Sequence, residues 1–369
     1  MKYLILLSLI PSITFASFSK PEMIARFMDV DAWNTPSNTW CFSGEPVAFK
    51  GDVYLNCIDM EGSFMGRWNK SGFKMMARAG SENLLSDPVA AFNKISWYEY
   101  NEFSILRSFQ SALNVEVKDV TNLGPLASDF TDSFLPLTAD SFFFKNKGEQ
   151  SQLWMWKDNV VTPFFNPKAG YIFTLQPGIN GEIAVKIRDE RSDENSPDKL
   201  WVYDGANWKV VLEDKDANPN SKWKSFRHQL TIEGNKILMI ANDGSKDHLL
   251  LLTDNKVEVI ATEGKELKSF DYFTPKMRAG TIVVRGEDFD GSKATYVKDE
   301  KHFRKLIAQG DIVQTDRGAG RVHYPNQHSI FYGAPGLDEN GNVYLQATLT
   351  DPDYPSTLMG ISLLKFTKE

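Results

Sequence analysis

Gln176 to Glu190, QPGINGEIAVKIRDE, is the stretch whose reading decides the fold. A proline precedes the turn cluster Ile179-Asn180-Gly181, and Glu182 to Ile187 then runs in mostly β-prone residues. It is either one hairpin in a mixed fold or one copy of a repeated unit.

The chain repeats. Asp243-Gly244-Ser245-Lys246 recurs 47 residues later as Asp290-Gly291-Ser292-Lys293, each followed by strand, turn and strand of matching lengths. Backwards, Leu200-Trp201-Val202-Tyr203-Asp204-Gly205 precedes Trp208 to Leu212, and Leu153-Trp154-Met155-Trp156-Lys157-Asp158 precedes Val160-Val161. The turn aspartates Asp158, Asp204, Asp254 and Asp299 are spaced by 46, 50 and 45 residues. Phe64 to Lys70 with Phe73 to Ala77 makes an earlier copy, and Phe103 to Leu106 with Val115-Glu116-Val117 a poorer one.

The opening stretch supplies the other half of each unit. A proline, a short strand and a turn recur at Pro46, Pro88, Pro136, Pro177, Pro275 and Pro335, with Gln229 in the proline's place in the remaining copy. Second strands are expected to start near Val53, Ile95, Phe142, Ile183, Ile237, Ile282 and Val343. Seven four-stranded units of about 50 residues define an all-β chain, a seven-bladed β-propeller of four-stranded antiparallel blades.

The last copy stops after its third strand, Gly360 to Phe366. Met23-Ile24-Ala25-Arg26 resembles the fourth strands at Met75-Met76-Ala77-Arg78 and Leu306-Ile307-Ala308-Gln309. The N-terminal segment is therefore expected to complete the seventh blade and close the ring, which satisfies two sheet edges at once.

The unit from Pro177 to Ala184, PGINGEIA, resembles the repeats of bacterial exported β-propellers, including the propeller of TolB-like proteins. The resemblance extends over residues 17–369 at the level of the blade. It implies the fold and an exported location, and it carries over no site. The Ser-x-Asp-x-Gly-x-x-Trp box of sialidase-like blades and the Trp-Asp blade ends of another common class are absent.

Residues 1–16 carry one positive charge at Lys2, an apolar run from Leu4 to Ile10 and a small-x-Ala exit at Thr14-Phe15-Ala16. These features describe a secretory signal peptide, with 17–369 as a single propeller domain in the periplasm or outside the cell. The apolar run is shorter than the roughly 20 residues of a spanning helix, and no later segment is apolar enough to span. The formal charge of −7, without any basic run, argues against a nucleic-acid partner. The reading is of a monomer.

Cys41 and Cys57 are the two cysteines, and an even count in an exported protein points to a disulfide. They lie symmetrically about Phe49, beside the turn Lys50-Gly51-Asp52, so a hairpin there sets them opposite one another within bridging distance.

No Gly-x-Ser-x-Gly elbow, His-Glu-x-x-His, Cys-x-x-Cys or phosphate-binding glycine loop is present. The five histidines, at 228, 248, 302, 323 and 328, are scattered. The stretch richest in reactive side chains is GDIVQTDRGAGRVHYPNQH, Gly310 to His328, read as a long connection into the seventh blade. Asp316, Arg317, Arg321, His323, Tyr324 and His328 are its candidate ligand-binding residues: two arginines to clamp a carboxylate, and a histidine that titrates near neutrality. Asp214, Asp216 and Asn218, in DKDANPNSK, alternate like oxygen ligands for calcium, although Pro219 interrupts them and the glycine and distal glutamate of a calcium loop are missing. No other cofactor is indicated.

In a meander, connections between blades and between second and third strands emerge on one face. Arg188 to Glu194, Asp288, Asp290 and Asp351 to Tyr354 join both stretches there, so a mainly acidic loop face is expected around the channel mouth, with Trp33, Trp223, Tyr324 and Tyr354 as exposed aromatics. The leading functional reading is a binding module of the cell envelope that docks a protein or saccharide at this mouth. Two alternatives stand beside it: a hydrolase or lyase of an envelope polysaccharide or peptide using Asp316, Arg317, His323 and Tyr324, and a purely structural envelope scaffold.

Overall fold

The computed structural model describes residues 17–27, 32–41, 45–91, 94–101, 105–112, 118–121, 130–138, 141–146, 151–157, 160–166, 170–178, 180–193, 195–254, 256–298, 303–324 and 329–369. The signal-peptide reading of 1–16 falls outside them. Among the described residues there is no helix, and the strands form seven antiparallel sheets. Blade 1 runs from Val47–Phe49 to Gly72–Arg78, blade 2 from Leu84–Leu85 to Lys118–Thr121 and blade 3 from Phe130–Thr138 to Val160–Phe165. Blade 4 runs from Tyr171–Pro177 to Trp208–Glu213, blade 5 from Ser225–Glu233 to Lys256–Thr262 and blade 6 from Ser269–Phe270 to Phe303–Ala308. Val115-Glu116-Val117, expected as part of blade 2, lies outside the described residues; that blade's fourth strand is Lys118–Thr121.

Blade 7 contains Phe331–Leu337, Val343–Thr350 and Leu358–Phe366, and its outermost strand is Glu22–Phe27. Glu22 pairs with Lys365 and Phe27 with Ile361, so the N-terminal strand closes the ring as expected.

The core lies between blades. Six clusters of buried side chains each straddle one seam, such as Leu238, Ile260, Met277 and Ile282 between blades 5 and 6. Burying one such side chain contributes about 1.5–3 kcal/mol, so the ring is held mainly by seam packing.

Polar latches supplement the packing at one repeated position. The third residue after each second-strand start is Asn56 in blade 1, Lys145 in blade 3, Lys186 in blade 4 and Arg285 in blade 6, and each donates to an inner-strand carbonyl of the following blade. Asn56 Nδ2 reaches Leu85 O at 2.5 Å, Lys145 Nζ reaches Ile172 O at 2.9 Å, Lys186 Nζ reaches Phe226 O at 2.6 Å and Arg285 Nη1 reaches Gly333 O at 2.5 Å. In blade 5 this position is Ile240, and the latch comes instead from Arg227 Nη1 to Asp271 O at 2.6 Å.

Cys41 and Cys57 form a disulfide. The hairpin that sets it up is discontinuous: Phe49 pairs with Asp52, then Trp40 bridges Ile58 in a register shifted by three residues. The chain before Val47 thus rejoins its own second strand, and the bridge ties it there.

The Gly310 to His328 stretch corrects its reading as a connecting loop. Ile312–Thr315 and Gly318–Val322 form a hairpin that joins blade 7 through Arg321 opposite Thr350 and Val322 opposite Leu349. Val313 and Val322 are buried in the seam between blades 6 and 7, which is why the segment is ordered as sheet. Gly318 turns at φ +101°, and Gly320 lies so near Leu349 that a Cβ would stand 3.2 Å from its Cδ1.

Candidate functional site at the channel mouth

The hairpin separates the residues expected to act together. Asp316 and Arg317 occupy its turn, and Asp316 is paired at 2.6 Å with Arg26 of the closing strand. His323 and Tyr324 lie beyond the far end of Gly318–Val322, roughly 15–20 Å along an extended chain. There the His323 amide donates to Thr348 O at 3.2 Å, and Tyr324 faces Tyr332, whose hydroxyl pKa is raised by burial. Arg321 is half-buried between these ends, and His328 lies outside the described residues. No single constellation holds Asp316, Arg317, His323 and Tyr324.

In the Asp214 stretch the oxygens close the turn. Asp214 Oδ1 accepts from the amides of Asp216 and Ala217 at 3.0 and 2.9 Å, and its Oδ2 from that of Asp198 at 2.8 Å. Asp216 pairs with Lys224 at 2.6 Å, and Asn218 Oδ1 accepts from the Asn220 amide at 3.1 Å. Among the described residues no three His, Cys, Asp or Glu side chains converge as metal ligands.

The aspartates of the loop face close turns in the same way. Asp243, Asp290 and Asp351 each accept from amides two or three residues on, the work of turn aspartates at the periphery. Of the four aromatics, Tyr354 is exposed on this face, Trp223 is only 3% exposed, Tyr324 is half-buried, and Trp33 lines a cleft on the opposite face.

The inner wall of the mouth is cationic. Inner strands of blades 4, 5, 6 and 7 begin at this face and run down to enclose a channel cavity of about 200 Å³ near Leu175, Ile232, Met277 and Leu337. At their upper ends the Phe173 and His228 rings stack at 4.3 Å and 5°. Lys186 Nζ and the Arg188 guanidinium lie 5.3 and 5.1 Å from the Phe173 ring centre. Lys186 Nζ also contacts His228 Nδ1 at 3.2 Å and Asp198 Oδ2 at 2.9 Å, while Arg188 Nε meets Asp198 Oδ1 at 2.9 Å. Burial, with the Lys186 and Arg188 charges adding to it, pushes the His228 imidazole down to about 4. Burial likewise pushes the Lys186 ammonium down to about 8, against the pull of Asp198.

On one side of this cluster, Lys145 and the exposed Arg191 lie over the Tyr171 ring at 4.5 and 4.4 Å. On the other, Arg227 meets Asp247 with Nε at 3.0 Å, and Arg285 Nη2 meets Asp271 at 3.0 Å while its guanidinium covers the Phe273 ring at 4.1 Å. Six cations (Lys145, Lys186, Arg188, Arg191, Arg227, Arg285) thus line this wall; Asp198, Asp247 and Asp271 pair with four of them, Asp214 also acts on Lys186, and Arg191 is exposed beside the Tyr171 ring.

Sequence reasoning passed over this group because its members are isolated in sequence. A signal is present nonetheless: a cation, Lys186 or Arg285, interrupts the apolar strands IAVKIR and TIVVRGE at the same blade position.

No protein-family profile matches the chain, and no curated protein sequence does. Solved structures match by fold. An oligogalacturonate lyase in complex with manganese aligns at TM-score 0.60 and 9% identity over 96% of this chain and 98% of its own. A prolyl endopeptidase aligns at 0.53 and 10% identity, and the Pyrococcus horikoshii acylaminoacyl peptidase at 0.52 and 12%, each over 87% of this chain. This chain spans about half of each peptidase, 48% and 52%. At such identities the likeness establishes the propeller fold alone; it supports a resemblance to propeller blades, and no match is specific to TolB-like repeats.

Proposed function

We propose that the protein is an exported binding module of the cell envelope that takes an anionic ligand at the upper mouth of its channel. The gathering of Lys145, Lys186, Arg188 and the exposed Arg191 against the Tyr171, Phe173 and His228 rings carries this reading, since cations set among aromatic faces suit planar carboxylates. Export is supported by the signal-like residues 1–16 and the Cys41–Cys57 bridge. Binding is favoured over turnover because the one cation with a base-like pKa, Lys186, has a fully buried side chain whose ammonium already meets a carbonyl, a carboxylate and an imidazole.

The lyase fold neighbour suggests the probe, a uronate oligosaccharide, with its neutral carboxyl-reduced counterpart as control. Calorimetric titration is expected to give binding of the uronate that weakens with added salt and no binding of the neutral sugar. Arg191→Ala removes one charge-assisted contact and is expected to weaken binding by about tenfold. Equal affinity for both sugars, or none for the uronate, sinks the proposal. Chain cleavage in the same titration replaces it with the lyase reading.

A further inference from the structure

We propose a second binding site on the lower face, in the seam between blades 4 and 5, for a small organic cation with an apolar body. A cleft of about 330 Å³ opens there, walled by Val211 from blade 4 and Ile232, Ile237 and Leu252 from blade 5. This size suits a single ring with a short side arm.

Two residues face each other across the cleft from the two blades. Two positions border a seam: the bulged residue of a fourth strand and the inner-strand residue opposite the next blade's second-strand start. Between blades 5 and 6 these are Ile260 and Met277, and between blades 6 and 7 they are Leu306 and Leu337; both pairs pack into seam clusters. Between blades 4 and 5 they are Val211 and Ile232; these too pack in their seam cluster, but Val211 is shorter than Ile260 or Leu306, and the cleft lies against both. At the closing seam the same positions are Ile24 and Ala48, which accompany a cleft of about 720 Å³.

The rim sets the sign of the ligand. Glu182, Asp204 and Asp254 line the mouth against one cation, Lys209, a local charge of −2. Glu182 is 7% exposed and is held in place by the amides of Gly234 at 2.5 Å and Asn180 at 3.0 Å. An apolar body seated on Val211 and Ile232 places an ammonium among these carboxylates, whereas a carboxylate on the same body is repelled.

The test uses benzylamine, benzyl alcohol and benzoate on the full chain, followed by NMR shifts of the Ile232, Ile237 and Leu252 methyls. Benzylamine is expected to shift these methyls, with benzoate at least about tenfold weaker and the alcohol between them. Val211→Ile with Ile232→Met copies the pair between blades 5 and 6 and is expected to abolish the Ile237 and Leu252 shifts without lowering Tm. Asp204→Asn with Asp254→Asn, both at the surface, is expected to bring the affinities for benzylamine and the alcohol together. Absence of shifts with benzylamine, benzoate binding as well as the amine, or binding retained by a folded filled variant overturns the site. Should the filled variant fail to fold, the two asparagine changes decide: an unchanged preference for the amine overturns the proposal. The site lies on the face opposite the channel mouth, so its failure is separable from that of the anion site.

Discussion

Arg26 of the closing strand and Asp316 of the blade 7 hairpin meet at 2.6 Å, 290 residues apart, with the Arg26 side chain only 3% exposed. The pair joins the strand that shuts the ring to the hairpin that covers it. Stripping a carboxylate from a buried cation is costly, so Asp316→Ala is expected to destabilise by roughly 3 kcal/mol. Arg26→Met with Asp316→Leu should recover most of that loss. Urea denaturation of Arg26→Met, Asp316→Leu and the two combined measures the coupling, and additive losses would show that the pair does not act as a unit.

The disulfide anchors the segment that precedes blade 1. It closes a loop with a sequence separation of 16. Cys41→Ser with Cys57→Ser is therefore expected to cost about 3 kcal/mol. Thermal unfolding with and without reductant checks this: the wild type should approach the double serine variant when reduced, and the variant should ignore the reductant.

His228 makes the upper mouth sensitive to acid. Its folded pKa of about 4 lies below the ordinary 6.5, so the unfolded chain binds more protons between these values. The His228 contribution to stability is full above pH 6.5 and is lost as pH falls toward 4. His228→Phe keeps a ring against Phe173 and should flatten this part of the stability profile. Ring-nitrogen NMR at pH 5 offers a direct check: a protonated His228 there contradicts the burial argument.

Asp87 works in the opposite sense. Solvent reaches it, yet it is walled by protein beside Glu45 and Lys276, and burial followed by the Glu45 charge raises its carboxyl to about 7. Its folded pKa exceeds the ordinary 3.8, so the folded chain holds the extra proton between pH 4 and 7, and stability falls as pH rises through that window. Asp87→Asn is expected to stabilise the protein at pH 8 and to leave it nearly unchanged at pH 3.5. Denaturant midpoints at the two pH values measure this, and equal effects at both would refute the raised pKa.

How far the sequence could be read depended on the range of the interaction. Prolines, turn aspartates and glycines, and runs such as LWVYDG act within a few residues, so the second strands begin where the repeat places them and Met23 to Arg26 takes the fourth-strand position. The Gly310 to His328 stretch was harder. Its glycines and charges resemble a loop, while the alternation of Val313 and Val322 that makes it a hairpin has meaning only once a seam exists to bury them.

By itself, then, the sequence determined the blade, the number of blades, the closing strand and the cysteine pairing, because each rests on backbone preferences and spacings local to one or two units. The tertiary structure decided where function can reside. Phe173 and Lys186 meet within blade 4, and His228 joins them only when blade 5 stacks on it. Whether a seam is filled, as by Ile260 and Met277, or open, as at Val211 and Ile232, depends on side chains from two blades meeting across a ring that neither blade encodes alone. Charge and cavity volume at a seam are properties of pairs, and the pairing exists only after the sheets have turned their faces to one another.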